Sequence, residues 1–175
     1  MTTTNIAYSA DNAITATNWE SLVADDWASL PNVDNTSNLF VDVLVGGQID
    51  LDTTTGTIAA GESFDIYVAA RFDKDVTTSY SGGIDTALGA GDSTLTEDTE
   101  FTPHNLILLT SVRVEDTAPD VSQGYNWGPV SVAEAFGGRM PQHWMLMGHN
   151  NTGGTTTAAT STTIVNYVGI TYTHA

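Results

Sequence analysis

The chain has 175 residues, no cysteine, and 21 acids against only 4 Lys and Arg, for a formal net charge of −17. That length suits one domain with a real core. The missing cysteines exclude disulfides and thiolate metal sites, and the acidity disfavours direct contact with nucleic acid or an anionic membrane. Charged residues make up only 14% of the chain, so Thr, Ser, Asn and Gly carry most of the polar surface. A hydrophobic content of 41% argues for a folded domain over an acidic disordered one.

The first residues, MTTTNIAYSADNAITATNW, have neither a basic stretch nor an apolar run. They do not read as a signal peptide, and no segment approaches the ~20 apolar residues of a membrane span. Residues 1–18 are read as an N-terminal arm, either a frayed terminus or first edge strand, or a segment that orders on a neighbouring subunit. Residues 19–175 are read as a single domain.

In Trp19–Leu30, Trp19, Leu22, Val23 and Trp27 fall near helical spacing, with Asn18 as a cap; a strand–turn–strand around Asp25 and Asp26 fits equally. Pro31 and Asn32 end it. Leu39–Val45 reads as a strand, Gly46 and Gly47 as a bulge, and Gln48–Leu51 as its continuation. Asp52–Gly61 is a loop. Ser63–Phe72 alternates, with Phe64, Ile66, Val68, Ala70 and Phe72 on one face, and reads as a half-buried strand. Asp73–Thr102 is long and irregular and either protrudes or hides a short strand near Tyr80–Ile84.

Asn105–Glu115 is the most apolar strand. Thr117–Gln123 is a loop, and Tyr125–Val132 a short strand. Ser131 and Glu134 have capping-box spacing, and Gly137 and Gly138 can stop a short helix in a left-handed conformation. His143–His149 and Ile164–Thr173 are expected to form a terminal β-hairpin, turned at Asn150–Gly154 by residues that tolerate positive φ. Both faces of the return strand are rich in β-formers, so it is expected to be covered by core on one side and a neighbouring segment or subunit on the other.

This count of about seven to nine strands, with little helix and no βαβ rhythm, predicts an all-β antiparallel sandwich of jelly-roll type with one or two short helical turns.

Chemistry is sparse. Of His104, His143, His149 and His174, the pair at 143 and 149 shares a strand face but sits roughly 20 Å apart, too far to bind one metal. Asp50, Asp52, Asp92, Glu97, Asp98 and Glu100 are oxygen donors of the kind Ca²⁺ takes. Without a Ca²⁺-loop pattern they read as solvated acidic loops. No spacing marks a carboxylate pair for glycoside hydrolysis, and no HExxH, GxSxG or phosphate loop occurs. The expectation is therefore no catalytic residues, no cofactor and no metal. Trp19, Trp27, Trp127 and Trp144 suit core or interface better than a sugar platform, with Trp144 and Tyr167 as partners across the hairpin.

Three C-terminal segments carry a resemblance: Pro141-Gln-His-Trp-Met-Leu-Met, then Asn150-Asn-Thr-Gly, then Asn166-Tyr-Val-Gly-Ile-Thr-Tyr. They resemble the closing strands of small jelly-roll structural proteins of tailed bacteriophages, and Asp-Ile-Tyr-Val-Ala-Ala-Arg-Phe at 65–72 fits the same group. Met145, Met147 and the long Thr155–Thr163 tract depart from the pattern. The resemblance implies a non-enzymatic virion protein, a capsid decoration (cement) protein that bridges major capsid protein subunits as a homotrimer. Such a protein is made in the host cytoplasm and ends on the capsid surface. A carbohydrate-binding module of a tail or fibre is the alternative.

Overall fold

The computed structural model describes residues 4–52, 58–71, 93–95, 106–115, 123–156 and 163–174. Twelve strands are present: β1 (Thr4–Tyr8), β2 (Asn12–Ile14), β3 (Trp27–Ser29), β4 (Val33–Asp34), β5 (Asp42–Asp52), β6 (Ser63–Arg71), β7 (Ser93–Leu95), β8 (Ile107–Arg113), β9 (Gln123–Ser131), β10 (His143–Asn151), β11 (Thr155–Thr156) and β12 (Ile164–His174). Among the described residues there are also a 3-10 turn (Thr17–Trp19) and one four-residue helix, α1 (Val132–Ala135).

All pairings are antiparallel. In the first sheet β1 and β2 flank one edge of β12, β5 lies on its other edge, and β9 lies beyond β5, with β11 also on β5. The second sheet runs β7-β3-β10-β6-β8, with β4 also on β10. With β1/β2 and β3/β4 each taken as one interrupted strand, and the short β7 and β11 set aside, eight strand lines remain whose pairs nest. The first pairs with the last (β1/β2 with β12), the second with the seventh (β3/β4 with β10), the third with the sixth (β5 with β9) and the fourth with the fifth (β6 with β8). That nesting is the jelly roll.

Local signals were obeyed where a few neighbouring residues decide. Ser131 caps α1, its hydroxyl accepting from Glu134 N at 2.9 Å, and Gly137 and Gly138 (φ 66° and 83°) end the helix. The register of β5 on β9 shifts between Val45 and Gly47, as the glycine pair predicts. The β5 strand starts at Asp42, however, because Leu39 takes φ 51° and Phe40 and Val41 lead in irregularly.

The expected terminal hairpin is not formed. β10 and β12 lie in different sheets, β10 between β3/β4 and β6, and β12 between β1/β2 and β5. Both strands are apolar on two faces, and that pattern does not say which neighbour a strand takes. The doubly covered strand is β10, in which His143 to Gly148 are all buried, whereas β12 exposes Ile164 and Tyr172. Trp144 and Leu146 enter the main core. Met145 and Met147 face the other way, into a second cluster with Trp27, Ala69, Tyr67 and Leu106. Unbranched methionine suits such an irregular space. β6 is half-buried as read, with Phe64, Ile66 and Val68 buried and Asp65 and Tyr67 partly exposed on the other face; of the described side chains on that face only Ala69 is buried, by the same cluster.

No helix forms in Trp19–Leu30. Ser21 and Asp25 take positive φ, and Asn18 caps nothing; its amide points at Ser29 O, 3.5 Å away. The bends send Trp19 into the main core, edge-on to Phe64, and Trp27 into the second cluster. Gly148 makes room for the first pair: a Cβ there would lie 2.5 Å from the Phe64 ring and 2.8 Å from Trp19. The 150–154 turn is held by the fully buried Asn150 side chain, not by left-handed glycines. Its amide donates to Leu22 O (2.8 Å) and Gly154 O (2.9 Å), and its oxygen accepts from Thr152 N (3.3 Å) and Thr152 Oγ1 (2.6 Å).

Candidate interaction surface

The four tryptophans are buried, as core. Trp19 Nε1 donates to Ala28 O at 3.0 Å. Trp144 meets Tyr167 edge-on at 5.7 Å, but across the two sheets and not within a hairpin. Burial pushes the Tyr167 hydroxyl above its usual pKa range.

His143 and His149 do not converge. His143 lies buried at the start of β10 with Nδ1 3.8 Å from Asp34 Oδ1, while His149 stacks on Trp27 at 4.1 Å. Hydrogen bonds from Thr36, with His143 nearby, hold the Asp34 carboxyl below the usual range. Those two residues border a groove of about 590 Å³ with Phe40 and Met140. His104 and the side chain of His174 lie outside the described residues.

Of the acids proposed for Ca²⁺, Asp92, Glu97, Asp98, Glu100 and the Asp52 side chain also lie outside the described residues. Asp50 is no solvated loop acid. It is fully buried in β5, where Oδ1 accepts from Gln48 Nε2 at 2.8 Å and Oδ2 has no hydrogen-bond partner among the described residues. It lies over Gly124 of β9, where a side chain would collide with it. Among the described residues no group of three or more His, Asp or Glu is placed to hold a metal ion, and no helix is long and apolar enough to cross a membrane.

The feature that stands out is an apolar face. In β12, Val165 and Tyr167 point to the core, so Ile164, Val168, Ile170 and Tyr172 point outward. β1 pairs with Ile6 opposite Tyr172 and Tyr8 opposite Ile170, which puts these four side chains on one outer face. Ile6 is 59% exposed, Tyr8 64% and Tyr172 56%. Ser9 pins the end of β1, its N–H donating to Gly169 O (2.8 Å) and its hydroxyl accepting from Gly169 N (2.9 Å).

With Val41, this face floors a groove of about 590 Å³ whose far wall is built by α1. Asp42 holds that wall in place. Its carboxylate accepts from Ser131 Oγ, from Ala133 N at 3.0 Å and from Val43 N at 2.7 Å. Carboxylate charge at a helix start is favourable. The two apolar faces of Ile164–Thr173 marked the β12 part of this surface in the sequence; the uncharged run before Asp11, with Ile6 and Tyr8 in alternation, is the signal for its extension onto β1.

No protein-family model, curated protein or solved structure matches the chain.

Proposed function

We propose that this chain is a non-enzymatic structural protein of a tailed-phage virion, a capsid decoration (cement) protein that bridges major capsid protein subunits as a homotrimer. The jelly roll and the C-terminal resemblance support it. The observation that carries it is the outer face of the first sheet, where Ile6, Tyr8, Ile170 and Tyr172 leave apolar area that an isolated, soluble chain has no reason to display. Tyrosine beside aliphatic residues is the composition of a protein–protein contact.

The test is co-sedimentation with expanded capsid shells of the parent phage. Deleting residues 2–18 would damage the fold, because Ile14 and Ala16 belong to the core. Ile6→Asp and Tyr172→Asp probe the face and leave the core intact. Each is expected to weaken shell binding about tenfold or more, as loss of an interface anchor does. Binding unchanged in both would refute the assignment of this face, and no binding by the natural chain would refute the virion reading.

One observation favours the carbohydrate-binding alternative: Tyr8 and Tyr172 lie diagonally on one face, the stacking pair that the buried tryptophans cannot supply. Loss of tyrosine emission changes on adding oligosaccharides would remove it. The aliphatic neighbours Ile6, Val41 and Ile170 suit a protein better than a sugar.

A further inference from the structure

We infer that the groove between β1/β12 and α1 takes a basic, apolar-alternating segment of a partner protein. This rests on reading the outer face as an assembly surface, and it names the chemistry of what sits there. The floor is apolar, formed by Ile6, Tyr8, Val41, Ile170 and Tyr172. The two charged side chains that line the groove, Asp42 and Glu134, are both acidic. Glu134 is exposed at its rim, and only its backbone N–H is engaged with Ser131. Arg139, the next residue after the rim glycines Gly137 and Gly138, is exposed beyond the lining.

A second copy is a poor occupant, since it would bring another −17 and acids of its own. An anionic or purely apolar segment leaves the exposed Glu134 carboxylate unanswered. A segment alternating Lys or Arg with Val or Ile answers both parts: its apolar side chains cover Ile6, Ile170 and the tyrosines, and its cations face Glu134, with the charge of Asp42, itself hydrogen-bonded to α1, adding to the acidic field. Charge matching of this kind sets partner choice and speeds association.

The probe is the capped peptide (Lys-Val)4 against (Glu-Val)4, titrated into the full chain at low salt and followed by tyrosine-region NMR shifts. The basic peptide is expected to bind at least about tenfold tighter than the acidic one, and its affinity to fall with added salt. Glu134→Gln should weaken it about threefold or more and Tyr172→Ser further. Val23→Ser, an exposed residue that lines neither this groove nor the other side of α1, should leave it unchanged.

Equal affinity for both peptides, no binding of the basic one at 1 mM (about the weakest useful affinity), or losses no larger than that of Val23→Ser would overturn the inference. Shifts of Tyr8 and Tyr172 produced by a neutral oligosaccharide but not by the basic peptide would assign the groove to sugar and overturn it too. Shell binding that survives Glu134→Gln and Tyr172→Ser sinks this groove assignment alone. Peptide binding without shell binding sinks the virion reading alone.

Discussion

Asn150→Asp is nearly isosteric and replaces one buried amide by a carboxyl. The retained oxygen can still accept from Thr152, but the other now faces the carbonyls of Leu22 and Gly154 at 2.8 and 2.9 Å in place of a donor. An anion is untenable there, so the folded chain keeps the carboxyl protonated. One O–H then serves one of two carbonyls, and the orphan costs about 1–3 kcal/mol. Holding a carboxyl neutral at pH 7 costs a further ~1.4 kcal/mol per pH unit above its ordinary pKa of about 3.9, roughly 4 kcal/mol in all.

The folded pKa is raised, so stability is fullest at low pH and is lost as pH rises from about 4 toward the folded value. The total deficit is about 5–7 kcal/mol at pH 7 and about 3 kcal/mol less at pH 5. Urea unfolding of both proteins at the two pH values measures it. A variant within 1 kcal/mol of the natural chain at pH 7, or a deficit that does not shrink on acidification, would refute this role for Asn150.

Gly148→Ala forces a methyl into the contact between Phe64 and Trp19 and is expected to destabilise by at least about 1–3 kcal/mol, seen as an earlier urea midpoint. Trp19→Phe should cost about 0.5–1.5 kcal/mol more than Trp144→Phe: it loses the hydrogen bond to the Ala28 carbonyl, whereas Trp144 Nε1 is buried with no partner among the described residues to lose. Burial first and the charge of Asp25 second raise the Asp26 pKa, so ionisation opposes folding at neutral pH. Asp26→Asn should therefore raise the melting temperature at pH 7, and the gain should fade as pH drops through that raised value.

The sequence made legible what near neighbours decide. The Ser131 cap, the Gly137–Gly138 stop, the bulge at Gly46–Gly47 and the alternation of β6 each depend on residues a few positions apart, and the structure has all four. Partner choice is different. Nothing local tells His143–Asn151 to lie beside Ser63–Arg71 rather than Ile164–His174, since all three are strongly apolar. The helical spacing of Trp19, Leu22 and Trp27 misled for a related reason: these side chains serve two cores, and the backbone bends at Ser21 and Asp25 to deliver them. Asp50 looked like a surface acid because a buried carboxylate leaves no mark in sequence. The outer face of β12 was legible as the second apolar side of its strand, but Ile6 and Tyr8 join it as a patch only when β12 sets Ile170 and Tyr172 beside them.

The nesting of the strands has a consequence during synthesis. Thr4 pairs with His174, so β1 waits during synthesis for β12, which is made long after it. At about 5–20 residues per second the interval is on the order of ten seconds or more. In that time β6 and β8, the innermost pair, can close, followed outward by β5 with β9 and β3/β4 with β10, while β1 and β2 still lack their neighbour. Ile6, Tyr8 and Ile14 stay exposed throughout, and pairings this distant in sequence form slowly. A half-closed sandwich with an open edge is the species most prone to stick to its own kind. The charge of −17 keeps such unfinished chains apart until β12 arrives.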